Sequence, residues 1–233
     1  AKVLQELIKF HQNDADPSAL IDVDLKRLKF VKSSAILDLK DSLYLVALQG
    51  LEKKFEKFPA STEVSYAIAT HYTAKGNLYN PLKSEENKWM NKKAIAKCDE
   101  AIKAFPSAFG AKNCQSLKSQ LLQKSVTMTF EEGNAPNKPF RSLIDYKNFS
   151  TIHFRILNMT YESYKKLIRK EYGDDLIKQL VKEPVLKEWS QTLVDDADYQ
   201  QHAAEVKFPE LPLGFYVVLA SDNKTFGLKD QVI

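Results

Sequence analysis

The residues able to do chemistry are few and far apart. Four histidines, His11, His71, His153 and His202, stand alone, none three or four positions from another. No zinc site or charge-relay triad is therefore written locally. Asp195, Asp196 and Asp198 make a short acidic run with the right atoms for Ca²⁺, but it lacks the glycine and the closing glutamate of an EF-hand loop. It reads as a helix-to-strand turn. The two cysteines, Cys98 and Cys114, fit no zinc spacing and are too few for a disulfide framework. They read as small core residues on successive helices, with one bridge between them left open. There is no P-loop and no dinucleotide-binding glycine series, and the chain holds only seven glycines. Asn148, Asn158 and Asn223 each open an N-x-S/T acceptor pattern. Tyr161, Tyr164 and Tyr172 fall at spacings that suit packing more than a partner-binding face. The expectation is no catalytic residue, no metal and no cofactor, and a binding or scaffold protein rather than an enzyme.

The elements that carry these residues change their grammar near Lys124. Before it, 41–49, 63–72 and 88–105 place apolar residues three and four apart, the period of a helix with one buried face. After it, Val126-Thr127-Met128-Thr129-Phe130 and Ile152-His153-Phe154-Arg155-Ile156 alternate apolar with polar, the period of a half-buried strand. The expected fold class is α+β in two domains, a helical module over 1–124 and a β-module over 125–233. With no Gly, Pro or Ser-rich stretch at 119–124, the last helix should run directly into the first strand and the modules should move as one body.

Charge gives little direction. Thirty-four basic residues face 30 acidic ones for a net +4, and the closest approaches to a patch, Lys53-Lys54 and Lys92-Lys93, lie in helical stretches with acidic neighbours. Nucleic acid is not an expected partner, because its recognition needs a clustered basic face. No run approaches the ~18 apolar residues of a membrane span, so a membrane enters only through an anchor outside this sequence.

The helical half is punctuated by Pro59 and Pro106, each closing a helix. If they end equivalent helices of a tetratricopeptide-like repeat, whose period is about 34, a segment is inserted between them. The stretch 77–87, with Pro81, reads as that insertion, an extended loop before Trp89 restarts the helix. Ala69, Tyr72, Gly76, Ala94 and Ala101 then fall on the small, aromatic and turn positions that let paired helices approach. Lys54, where a small residue is expected, departs from the pattern.

In the β-half, strands are expected at 125–132, 140–147, 151–159, 202–208 and 214–221. A helical insert over about 161–195 is built from 161–172, 174–182 and 184–193, with Pro184 at a helix start. A β-sandwich with a helical excursion accounts for this order. Gly214 should allow a tight entry into a buried central strand running to Leu219, and a β-branched residue there would be strained if the backbone needs φ > 0.

Three stretches carry a family resemblance: Gly110-Ala111-Lys112-Asn113-Cys114; Pro136-Asn137-Lys138-Pro139-Phe140 leading to Asp145-Tyr146-Lys147-Asn148; and 211–221, Leu-Pro-Leu-Gly-Phe-Tyr-Val-Val-Leu-Ala-Ser. Together they resemble the amino-terminal region of bacterial α2-macroglobulin-family proteins of the Bacteroidetes type. The resemblance implies a helical leader before a series of macroglobulin β-sandwich domains, downstream domains as partners, a role in protease trapping or envelope defence with proteases or envelope proteins as further partners, and a periplasmic or envelope location. Some relatives carry a Cys-x-Glu-Gln thioester. Here the nearest echo, Cys98-Asp99-Glu100-Ala101, lacks the glutamine, so no thioester is expected in this sequence. Two readings from other classes stand beside it: a free-standing tetratricopeptide-like adaptor holding a peptide on its concave face, and a hydrolase using Asp195, Asp196 and Asp198.

Overall fold

A computed structural model describes residues 2–227 and shows a mixed α+β chain with eight helices and two small antiparallel sheets among those residues. Two compact units emerge. The first takes Ala1–Leu122 with Asp198–Gln200, and the second takes Gln123–Ala197 with Gln201–Ile233.

The first unit is helical: α1 Lys2–His11, α2 Ser18–Ser34, α3 Lys40–Lys54, α4 Ser61–Gly76, α5 Met90–Ala104 and α6 Phe109–Leu122. Prolines do the punctuating, since a proline cannot donate to a helix carbonyl. Pro59 follows α3, Pro106 follows α5 and Pro17 stands at the entry of α2. There the Asp16 carboxylate accepts from both the Ser18 amide and its hydroxyl. Two apolar clusters hold the unit. One joins α2, α3 and α4 through Ile21, Leu28, Leu48, Leu51, Val64 and Ile68. The other joins α4, α5 and α6 through Ala69, Ala94, Ile95, Cys98, Ala101 and Cys114. Helix α4 serves both, so small residues on its second face let α5 and α6 come close. Gly110 marks the nearest approach, because a Cβ there would stand 2.2 Å from the Thr62 carbonyl carbon of α4. The stretch 77–87 is a series of turns, and its Leu82 is 94% exposed.

The second unit contains β1 Ser125–Phe130, β2 Phe140–Lys147, β3 Thr151–Asn158, α7 Tyr161–Ile168, α8 Gly173–Leu180, β4 Val185–Thr192, β5 Gln201–Phe208 and β6 Tyr216–Ser221. The sheets run β1-β2-β5 and β4-β3-β6. Their apolar faces meet in one cluster that includes Ile144, Phe154, Ile156, Val206 and Phe208. At its centre the Phe208 ring meets Phe154 edge-on at 5.2 Å and Trp189 at 5.0 Å. The far face of β3 and β6 is also covered: Leu157, Met159 and Leu219 pack with Leu180 of α8 and Phe226. The ordinary pleat sends Ile156 to the inter-sheet core and Leu157 to this far face. Burial on both faces explains why 217–220 is continuously apolar rather than alternating.

Several expectations need correction. The stretch 184–193 is not helical, so the helical excursion ends with α8 and does not reach 195. Leu186, Trp189 and Leu193 mimic helical spacing, but Trp189 stacks on Phe154 at 5.0 Å and Glu188 pairs with Arg155 across the β3–β4 register at 2.6 Å. Cross-strand packing therefore overrides the spacing. Pro184 sits ahead of an edge strand, where its missing N–H costs no ladder bond, and its carbonyl accepts from the Asn158 amide. Strand β6 lies at an edge and β3 is central in that sheet. Gly214 precedes β6 without a positive φ, and what presses on it is the Tyr216 ring, with the hydroxyl oxygen 3.0 Å from the site of a Cβ. Finally, the turn holding Asp195, Asp196 and Asp198 joins two strands, β4 and β5, rather than a helix and a strand.

Candidate functional site

Helix α2 presents Lys26, Lys29 and Lys32 at three-residue steps, which brings them to one side of the helix. That side forms the wall of a cleft of about 680 Å³, bounded also by α3, α4 and the start of α6. Tyr44, Tyr66, Ala67 and Phe109 supply its apolar surface, and Phe109 is 68% exposed. Lys40 from the start of α3 joins the rim, so four lysines line the cleft against one carboxylate, Glu63.

Beside the cleft the charges are organised around Asp41, whose side chain is partly exposed. Its carboxylate takes Lys75 at 2.7 Å and Lys32 at 3.2 Å. Hydrogen bonds from Lys75 and then Lys32 hold its pKa down to about 2. The Lys32 ammonium also lies 4.7 Å from the Tyr44 ring centroid and 3.4 Å from His71 Nδ1. An ammonium can only donate, so Nδ1 accepts and the imidazole proton resides on Nε2. His71 is buried, and its pKa is lowered by that burial first and by Lys32 second. It is therefore held as the neutral base, edge-on to Tyr44 at 5.8 Å. Burial raises the Tyr44 pKa. Burial first, and then Asp22 nearby, raises that of Glu63, with Lys26 opposing the shift.

Asp41 neutralises part of the lysine charge, but not all of it. Lys26 is paired with Asp22 on its own helix at 2.6 Å. Lys40 Nζ donates to the Ala35 carbonyl. Lys29 is exposed and makes no ion pair among the described residues. A surplus of cationic donors over a partly aromatic surface suits binding of an anionic group more than bond-making chemistry.

A second polar cluster crosses α3, α4 and α5. Ser65 Oγ donates to Glu52 Oε1 at 2.5 Å, and Lys97 bridges Glu52 at 3.2 Å and Glu100 at 2.6 Å. Although burial works against it, the hydrogen bond that Lys97 donates to Glu100 and the charge of Glu52 raise the Lys97 pKa. A lysine held protonated is no base for Ser65, so the cluster ties helices together.

The residues singled out in the sequence do not converge. His11 bonds Asp14 at 2.7 Å, His153 bonds Ser190 at 2.7 Å, and His202 stacks on Tyr146. Asp195 accepts from the Ala197 amide, and the buried Asp198 from that of Gln200, the local pattern of tight turns. Among the described residues no three His, Cys, Asp or Glu side chains gather as a metal site. Cys98 and Cys114 are free, fully buried thiols in the α4–α6 cluster, and the hydrogen bond to Cys114 together with burial pushes Cys98 far up. Tyr161 and Tyr164 flank Phe215, while Tyr172 stands 87% exposed. The helical periods at 41–49, 63–72 and 88–105 leave out α2, the wall of the cleft, whose signals in sequence are Pro17 at its entry and the apolar Ile21, Leu25 and Leu28.

No family model, no curated protein and no solved structure matches this chain.

Proposed function

We propose that the chain is a non-catalytic segment of a macroglobulin-like protein, with a structural and interaction role in a protease-trapping or envelope-defence assembly. One observation supports the reading: two of the three stretches that resemble the family, 136–140 and 211–221, meet at one end of the β-unit, while the other, 110–114, lies in α6 of the helical unit. The Asn137 amide donates to the Leu211 carbonyl at 2.7 Å. Pro136, Phe140, Leu211, Gly214 and Tyr216 line a common pocket of about 420 Å³. Tyr146, from the 145–148 continuation of the second stretch, is buried in the same unit and donates its hydroxyl to the Val194 carbonyl at 2.9 Å. Two facing three-stranded sheets with a helical excursion suit a macroglobulin-type domain.

The test is the gene together with a trapping assay. The reading requires an open frame continuing past Ile233 into further β-domains, and a longer product that shields a captured protease from large substrates while sparing small ones. A stop codon at that point, or hydrolysis by the chain alone, overturns it.

A second reading is supported by the cleft. The helical unit acts as a tetratricopeptide-like peptide adaptor, with α2, α4 and α6 presenting one shared surface. Titrating the chain with peptides tests it, and failure of every peptide class to bind removes it.

A further inference from the structure

We infer that the α2–α4 cleft receives an extended acidic peptide segment whose carboxylates alternate with aliphatic side chains. This rests on the adaptor reading of the helical unit and specifies the ligand class. The first argument is charge complementarity. Lys29 and Lys40 carry no carboxylate partner among the described residues, and the acidic residues nearby, Asp41 and Asp22, already bind other lysines. Glu63 is the single carboxylate that lines the cleft against four lysines. A carboxylate placed on Lys29 or Lys40 forms a pair without displacing one, a gain that a cationic or neutral peptide lacks.

The second argument is the surface beside it. Lys32, Lys40 and Tyr44 also line a neighbouring slot of about 220 Å³, so the two depressions share a wall. That slot is otherwise apolar, bounded by Leu28, Val31, Leu37, Leu43 and Ala47. Leu37 and Leu43 are 61% and 55% exposed, an arrangement that leaves apolar surface in water beside a row of lysines. A chain that alternates carboxylates with leucine-like side chains matches both features: its acids meet the rim while its aliphatic groups enter the slot and cover Tyr44 and Ala67. Extended backbone turns successive side chains to opposite sides, which is the alternation the two depressions ask for. Free anions have the charge but cannot fill the slot.

The test uses the full chain and fluorescence anisotropy with three labelled twelve-residue peptides: Glu alternating with Leu, the same peptide with Gln for Glu, and the same with Lys for Glu. The acidic peptide should bind, the other two should not, and its affinity should fall as salt rises. The double variant Lys29→Glu, Lys40→Glu should weaken it about tenfold. Leu43→Asp should weaken it comparably, with the circular dichroism of each variant unchanged. Replacing Leu by Ser in the peptide should have the same effect. Equal binding of the Gln peptide overturns the acidic assignment while leaving the adaptor reading intact. Silence from all three peptides removes both. Inorganic polyphosphate that binds as tightly as the peptide, and displaces it, shows a general anion site and overturns the peptide claim.

Discussion

The two units treat their interiors in opposite ways. The β-unit fills its own centre with aromatic rings, Phe154, Trp189 and Phe208 lying within 5.0–5.2 Å of one another. The helical unit keeps an open cleft of about 680 Å³ beside its core, and sets lysines, a neutral histidine and a tied carboxylate around it. Self-filled packing spends its apolar surface on stability, whereas an unfilled cleft with surplus charge is surface left for something else. The β-unit also keeps a pocket of about 420 Å³ at one end, but a single lysine, Lys138, lines it, so the clustered charge directs the search for interaction to the helical cleft.

The chain supplies its own reporters for breaking that contrast. Of its two tryptophans, Trp89 belongs to the helical unit and Trp189 to the β-unit. The largest effect should come from Gly110→Val. A side chain there runs into the backbone of Thr62 and Glu63, which cannot rotate away. We expect a loss of more than about 3 kcal/mol, enough to unfold a marginally stable unit. Helical ellipticity and the Trp89 signal should collapse while the Trp189 signal persists. Retention of the wild-type helical melt would show that α6 does not pack on α4 as described.

Phe208→Ala should reverse the pattern. Removing a fully buried ring that contacts Phe154, Trp189, Phe130 and Phe140 should cost about 3–5 kcal/mol. In single-tryptophan backgrounds the Trp189 transition should shift by many degrees and the Trp89 transition should stay. Equal shifts of both would contradict a core private to the β-unit.

How far the sequence anticipates this division depends on whether a pattern is local. Strand β3 is read from the alternation at 152–156, and the bounds expected for β2, Phe140–Lys147, agree with the structure. Helices α3, α4 and α5 are read from their apolar period, and Pro59 and Pro106 mark where two of them stop. Strand β4 is misread because a lone tryptophan between Leu186 and Leu193 satisfies both periods, and only pairing with β3 decides between them. The position of β6 at an edge is likewise invisible, since burial by α8 and Phe226 makes it look central. The cleft is the least legible feature. Lys26, Lys29 and Lys32 are indistinguishable in sequence from any solvated helix face. They converge with Lys40 and His71 only after α2, α3 and α4 have packed.

A smaller effect separates close approach from backbone strain at Gly214. Because φ is not positive there, Gly214→Val should cost only about 1 kcal/mol, the net worth of the Tyr216 hydroxyl bond to the Pro212 carbonyl lost when the ring moves aside. Chemical denaturation followed at Trp189 would measure it. A loss of several kcal/mol would point to a backbone conformation that only glycine can hold.

The smallest effect is one of pH. His71 titrates below its ordinary value of 6.5 when folded, so between the folded and unfolded values the unfolded state binds more protons. Stability from this source is complete above about 6.5 and is lost as pH falls through the folded value. The Trp89-reported melting temperature should drop on acidification from pH 7 toward 5, and His71→Gln should flatten that part of the curve. An unchanged slope in the variant would place the titration elsewhere.

The most direct measurement is a ¹⁵N amide spectrum of the whole chain titrated with the alternating Glu-Leu peptide. The account predicts saturable shifts at Lys29, Lys40, Tyr44, Thr70 and Phe109, with Phe154, Trp189 and Phe208 unmoved. Shifts centred on the β-unit, or none at saturating peptide, would contradict the claim that the helical cleft is the interaction surface.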